Sequence, residues 1–217
     1  MRSGLPRESV SGEGACNTNA LRRVNLIDIS TGNLMRNAFI AAALSLILTC
    51  TLRAESEITA ADWSLLSAAG ETIRLSEAVQ QQPVLLFFWA SWCPYCKALM
   101  PHLQSIRLEY GEQLRVLAVN FRENGDPVAF IADAGYDFTV LPDGDEVAAA
   151  YDVYATPGVV IVDSDMTIRF DLRSLPQRDP PQTDKPASHR RKAAYRAPYW
   201  AAEIRKNIDV VIGETAR

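Results

Sequence analysis

Apolar residues recur along the chain in two rhythms, and the switching between them lays out an architecture. Val84–Trp89 is a continuous apolar run set off by Pro83, the pattern of a strand buried on both faces of a sheet. Residues 114–121 repeat it, and 138–141 give a shorter strand. Residues 159–162 and 168–172, separated by Asp163-Ser164-Asp165, read as an antiparallel hairpin. Between these runs the period becomes helical. Leu99, Leu103, Ile106 and Tyr110 form one stripe, with Gly111 placed to stop the helix and Pro101 to kink it. Residues 127–134 and 145–151 predict further helices, and Trp200, Ile204, Ile208 and Ile212 a terminal one. Nearer the amino terminus, 63–66 and 72–75 flank Ala68-Ala69-Gly70 and predict a strand pair. Ser76 is then set to cap a brief helix over 77–81. Strands alternating with helices and ending in a hairpin predict an α/β sandwich with a mixed central sheet.

Composition adds limits. With 217 residues, 48% of them hydrophobic, the chain has material for one domain with appendages. Its net charge of -4 lacks the basic excess of a nucleic-acid surface, so no nucleic-acid partner is expected. Residues 35–54 begin Met-Arg-Asn, continue AFIAAALSLILTC and end TLRA, which resembles a secretory signal cut after Ala54. Its apolar part is shorter than the roughly 18 residues of a spanning helix. A periplasmic or otherwise exported protein is therefore expected, membrane-tethered if the signal stays uncleaved. Residues 1–34 lack that logic and read as a misassigned start or a disordered extension, which leaves 55–217 as the folded domain. The segment 174–197 is proline-rich and basic around Arg190-Arg191-Lys192 and Arg196. It reads either as a solvated linker or as a surface that docks an acidic partner.

Removing residues 1–54 takes Cys16 and Cys50 with it, so the mature chain keeps only Cys93 and Cys96. Structural zinc needs about four ligands, and His102 and His189 stand at unrelated spacing, so no metal is expected. A disulfide closing so short a loop removes little chain entropy. A reactive dithiol fits better. Cys93 falls where a strand ends and a helix begins, facing unpaired N–H groups and the positive end of the helix dipole. Thiols in such surroundings have pKa values of about 3.5–7.5. Cys96, roughly one turn further in, is placed to resolve a mixed disulfide formed by Cys93. A reading from a different class is a non-catalytic module that binds or delivers Cu(I), with Met100 the nearby soft ligand.

The stretch FFWASWCPYC, followed by Lys97 and Pro101, together with Tyr154-Ala155-Thr156-Pro157 ahead of an apolar strand, resembles the thioredoxin family. The strand pair, LLFFWASWCPYC and YDVYATPGVVIVD are most similar to its exported TlpA, ResA and DsbE branch. The resemblance covers residues 60–173 and implies a thioredoxin-like three-layer sandwich, with helices on both faces of a mixed sheet and an amino-terminal strand pair. It also implies a thiol-disulfide oxidoreductase, more a reductant than an oxidant, with Cys93 and Cys96 catalytic. Pro157 would lie in a cis peptide opposite them, and Trp92, Pro94, Tyr95, Thr156 and Pro157 would meet the substrate. Protein thiols or disulfides and a membrane or soluble electron donor are the implied partners, with no cofactor. Two departures stand out. Phe87 and Leu99 occupy positions where members keep an acid, and His102 is the nearby titratable substitute. A peroxidase of the related peroxiredoxin type fits less well, because serine and tryptophan precede Cys93 where proline and threonine are usual.

Overall fold

The computed structural model describes residues 58–182 and 186–215. The start extension and signal expected over 1–54 lie outside the described residues. The continuous apolar run becomes the central strand. Strand β3 (Val84–Trp89) is buried at all six positions, and it pairs parallel to β4 (Arg115–Asn120), which pairs parallel to β5 (Thr139–Leu141). On its other side β3 meets β6 (Gly158–Val162) antiparallel, and β6 continues antiparallel to β7 (Ile168–Asp171). The five-stranded order is β5-β4-β3-β6-β7, with a separate pair β1 (Ser64–Leu66) and β2 (Thr72–Arg74). That pair is tied to the main sheet where Ala68 N donates to Val140 O at 2.9 Å.

Alternation along β3 sorts the core into two layers. Leu85, Phe87 and Trp89 pack with α2 (Pro94–Tyr110), α3 (Pro127–Asp133) and α5 (His189–Thr215), through Leu103, Ile106, Ile131, Ile204 and Ile208. Val84, Leu86 and Phe88 pack with α1 (Leu75–Ala78) and α4 (Asp145–Ala150), through Leu75, Ala78 and Val147. This is the three-layer, thioredoxin-like arrangement with helices on both faces. Each large apolar side chain fully buried in it contributes about 1.5–3 kcal/mol, so burial on both faces anchors β3 firmly and gives the Cys93 turn at its carboxyl end a rigid base. Helix α2 runs on through Pro101 and ends at Gly111, whose φ of 53° only glycine adopts readily. No helix among the described residues is long and apolar enough to cross a membrane.

Two expectations need correction. Ser76 does not cap α1. The helix starts two residues earlier than expected, at Leu75, and ends at Ala78. Ser76 instead donates both its N–H and its hydroxyl to Asp62, each at 3.0 Å, so a carboxylate outside the helix takes the cap's place. The terminal helix also begins well before the expected stripe, at His189, and passes through Pro198. Ala193, Ala197 and Ala201 are all buried at a spacing of four, and Ile204 and Ile208 continue their face. Alanines carry little hydrophobic signal but allow close approach, which is why a proline-rich sequence conceals a packed helix here.

The segment expected as a solvated linker over 174–197 is exposed along most of 174–182 and is helical from His189 onward. Residues 174–182 lie against α5. Arg196 Nε donates to Arg178 O at 2.9 Å, Lys192 and Arg196 both pair with Asp179, and the Arg178 guanidinium sits 3.7 Å from the Tyr199 ring centre.

Candidate active site

Strand β3 runs directly into the cysteine turn. After the buried Trp89 and Ala90 the chain bends, with Cys93 N donating to Ala90 O at 3.1 Å, and Cys93 takes an extended conformation immediately before α2. Pro94 fills the first helical position, where its missing N–H is no loss. The Cys93 sulfur then serves as the helix cap, accepting from Cys96 N at 3.2 Å. A sulfur thus stands where a serine or aspartate oxygen usually does, at the positive end of the helix dipole.

The two free thiols differ sharply. The Cys93 thiol is pulled down to about 6, chiefly by a hydrogen bond from the Cys96 thiol. Burial opposes this, and the Thr156 hydroxyl and the backbone N–H groups of Cys96 and Tyr95 add to it. Cys96 is pushed well above its ordinary value by burial and then by the neighbouring Cys93 sulfur. Near neutral pH the site therefore holds one thiolate and one thiol. Cys93 is 2% exposed and Cys96 fully buried, so a partner must reach the outer sulfur through a narrow opening.

The opposite wall is the turn into β6, where the Thr156–Pro157 peptide bond is cis. Gly158 makes that approach feasible, because a Cβ there would stand 3.2 Å from the Phe88 side chain and 3.0 Å from Val153. Tyr95, Thr156 and Pro157 line a groove of about 330 Å³, with Leu175, Arg196 and Trp200 among the residues across from them. The Tyr95 hydroxyl lies 3.3 Å from His189 Nδ1, and its ring lies 6.2 Å from that of Trp200.

The structure thus brings Cys93, Cys96, Tyr95, Thr156 and Pro157 together. Pro94 is exposed beside them. Trp92, 48% exposed, is not among the residues lining that groove and donates its indole N–H to Arg122 O at 2.8 Å. Phe87, where the acid of the resemblance would stand, is buried and stacked on Trp89 with ring centres 6.3 Å apart. Leu99 and Met100 are likewise buried in the core. Partial burial and then Arg205 lower the basicity of His102. Among the described residues no group of three or more His, Cys, Asp or Glu side chains is placed to hold a metal ion.

One residue escaped the sequence reading. The Glu123 carboxylate accepts from Ser91 N at 2.7 Å and Ser91 Oγ at 2.8 Å, two residues ahead of Cys93. It also accepts from Asn120 Nδ2 and from the N–H groups of Asn124 and Gly125, at 2.9–3.0 Å. Burial alone would raise its pKa, but these donors outweigh it and hold the carboxyl down at about 2. The available signal was positional. β3 and β4 are parallel with Trp89 opposite Asn120, so the loops at their carboxyl ends must meet.

Comparison with known proteins agrees with this geometry. The chain belongs to the AhpC/TSA family, whose model matches residues 58–171. It is similar to the thioredoxin-like protein YneN of Bacillus subtilis, 38% identical over 109 residues that make up 48% of this chain and 63% of that protein. It is also similar to the thiol-disulfide oxidoreductase ResA of Halalkalibacterium halodurans, 34% identical over 43% of this chain and 54% of that one. The chain thus spans less than two thirds of the length of these relatives. A solved structure of a hypothetical protein from Sinorhizobium meliloti superposes with a TM-score of 0.53 at 24% identity, over 73% of this chain and 84% of that one, and supports the fold alone.

Proposed function

We propose that this member of the AhpC/TSA family is an exported protein thiol-disulfide oxidoreductase that works through its Cys93–Cys96 dithiol, with net reduction of partner disulfides. The observation that carries the reading is the split between the two thiols: a capping sulfur ionised near neutral pH, and a buried, protonated one a turn behind it. In the reductive direction the Cys93 thiolate attacks a partner disulfide, forming one S–S bond as the partner's second sulfur leaves as thiolate. Cys96 then attacks Cys93 Sγ and releases the first partner sulfur. Its lost proton is balanced by one taken up at the departing thiolate. The protein is left with a Cys93–Cys96 disulfide, two electrons having passed to the partner, and a thiol donor must restore the pair. Similarity to the exported branch supports both the compartment and the direction.

The partner's chemistry follows from the groove's outer wall. Residues 172–200 carry seven Lys or Arg and two Asp, against a net charge of -4 for the whole chain, and they lie beyond the segment that the family model matches. Arg173, His189 and Arg196 line the groove, and among the described residues no carboxylate does. We read this as a preference for extended segments with acidic residues near the reacting cysteine.

The test is insulin-disulfide reduction together with the reduction potential of the pair. Wild type is expected to reduce insulin, Cys93→Ser to be inactive, and Cys96→Ser to accumulate a mixed disulfide. A wild type without a redox-active disulfide, or a Cys93→Ser variant that exchanges thiols equally well, overturns the reading.

A further inference from the structure

The turn after β4 stands between the two walls of the dithiol site and touches both. Toward the cysteine wall, Glu123 holds Ser91 through its N–H and its hydroxyl, and Arg122 O accepts from the Trp92 indole. Toward the opposite wall, Arg122 Nη1 donates to Tyr154 O at 2.7 Å, two residues ahead of Thr156. The turn itself is anchored on two elements: Asn120 Nδ2 reaches Trp89 O at the end of β3, and Arg122 N donates to Asp145 in the first turn of α4. Arg122 holds a φ of 51°, a left-handed conformation that a residue with a side chain enters only at a cost. Glycine would avoid that cost but would lose the guanidinium that spans to Tyr154.

We propose that Arg122 and Glu123 form a single positioning clamp, in which Glu123 fixes the turn that presents Cys93 and Arg122 fixes the strand entry that carries Thr156 against the Cys93 sulfur. Neither side chain touches the sulfurs, so both are positioning residues. The inference rests on the dithiol reading of the same site. Hydrogen bonds to a thiolate weaken steeply with misalignment. The Cys93 sulfur draws on donors from both walls: Cys96 and Tyr95 on one, Thr156 on the other. Loosening either wall removes donors that favour the charged form. Glu123 is irreplaceable in kind because all five of its partners are donors, and an amide would turn its own N–H groups toward some of them.

The experiment measures alkylation of reduced Cys93 by iodoacetamide as a function of pH, read on the Cys93 peptide by mass. The full chain is compared with Glu123→Gln, Arg122→Ala, the double variant and Ile73→Ala. Ile73 is buried on the opposite face of the sheet and serves as a control for lost stability alone. Both single variants are expected to shift the midpoint upward, slowing alkylation near pH 5 by roughly 3–10-fold, which corresponds to about half to one pKa unit. The double variant is expected to shift it less than the sum of the two, as members of one unit do. Ile73→Ala is expected to leave the midpoint in place. Should Glu123→Gln fold poorly, Ser91→Ala removes one of the five bonds and is expected to shift the midpoint in the same direction by less. Midpoints unchanged from wild type, even with lowered melting temperatures, would reduce the turn to a structural role and overturn the clamp. Strictly additive shifts would also overturn it, by separating the two arms. Alkylation reports the Cys93 thiol itself, so a failure of insulin reduction with these shifts intact counts against the proposed function and not against the clamp.

Discussion

The two sides of the groove at Tyr95 are held by different physics. The inner side, comprising the cysteine turn and Thr156–Pro157, rests on a fully buried strand, backbone hydrogen bonds and one carboxylate with five donors. The outer side, residues 174–182 and the start of α5, rests on ion pairs of Lys192 and Arg196 with the exposed Asp179 and on a cation–π contact. Interactions of the first kind are short-range, built largely on a buried strand and on backbone donors. Those of the second are individually weak and screened. On the proposed reading, chemistry falls on the rigid side and choice of partner on the adaptable one, and the family match ends between them at residue 171.

The largest expected effect breaks the inner side alone. Cys93→Ser is expected to bring insulin-disulfide reduction to background, whereas Asp179→Ala, on the outer side, leaves insulin turnover within about twofold of wild type, as expected for loss of an exposed ion pair. Equal losses in the two variants would erase the distinction.

A pH profile sharpens it next. A Cys93 thiol with its pKa pulled down to about 6 is thiolate above that pH and loses the charge as pH falls through it. Alkylation is therefore expected to fall about tenfold per pH unit below the midpoint and to level off above it. A midpoint at the ordinary thiol value would mean that the capping geometry does not stabilise the charge.

Acid stability gives a smaller effect. Glu123 has a folded-state pKa near 2 against 4.5 for the free side chain. Its contribution is present above about pH 4.5 and is lost as pH falls from there toward 2. Denaturant midpoints of the wild type are expected to drop across that window, and those of Glu123→Gln to drop less. The smallest effect belongs to the outer side: Asp179→Ala is expected to move the denaturant midpoint only slightly, and less in high salt. A shift in midpoint as large as that from a core truncation would show that the outer side is as firmly built as the inner one.

Much of this molecule could be read along the chain. The runs that became β3 and β4, the stripe of α2 ended by Gly111, the cysteine at the strand-to-helix junction and the proline ahead of β6 each leave a signature within a few neighbouring residues. Where the reading failed, the partner was distant. Ser76 looked like a cap because capping was sought within the helix, but its acceptor is Asp62, 14 residues upstream. The segment before Trp200 looked like a linker because its alanines signal nothing until a neighbouring helix packs against them.

The same division runs through the site. Sequence alone supplied the residues of the proposed chemistry: the two cysteines and their spacing, Pro94 after the first of them, and the Thr156–Pro157 pair. The tertiary structure decided how that chemistry is held, because Glu123 reaches Ser91 across 32 residues and His189 meets Tyr95 across 94. Periodicity and spacing are local properties that survive in a string of letters. A hydrogen bond between loops exists only once parallel strands have brought their carboxyl ends side by side.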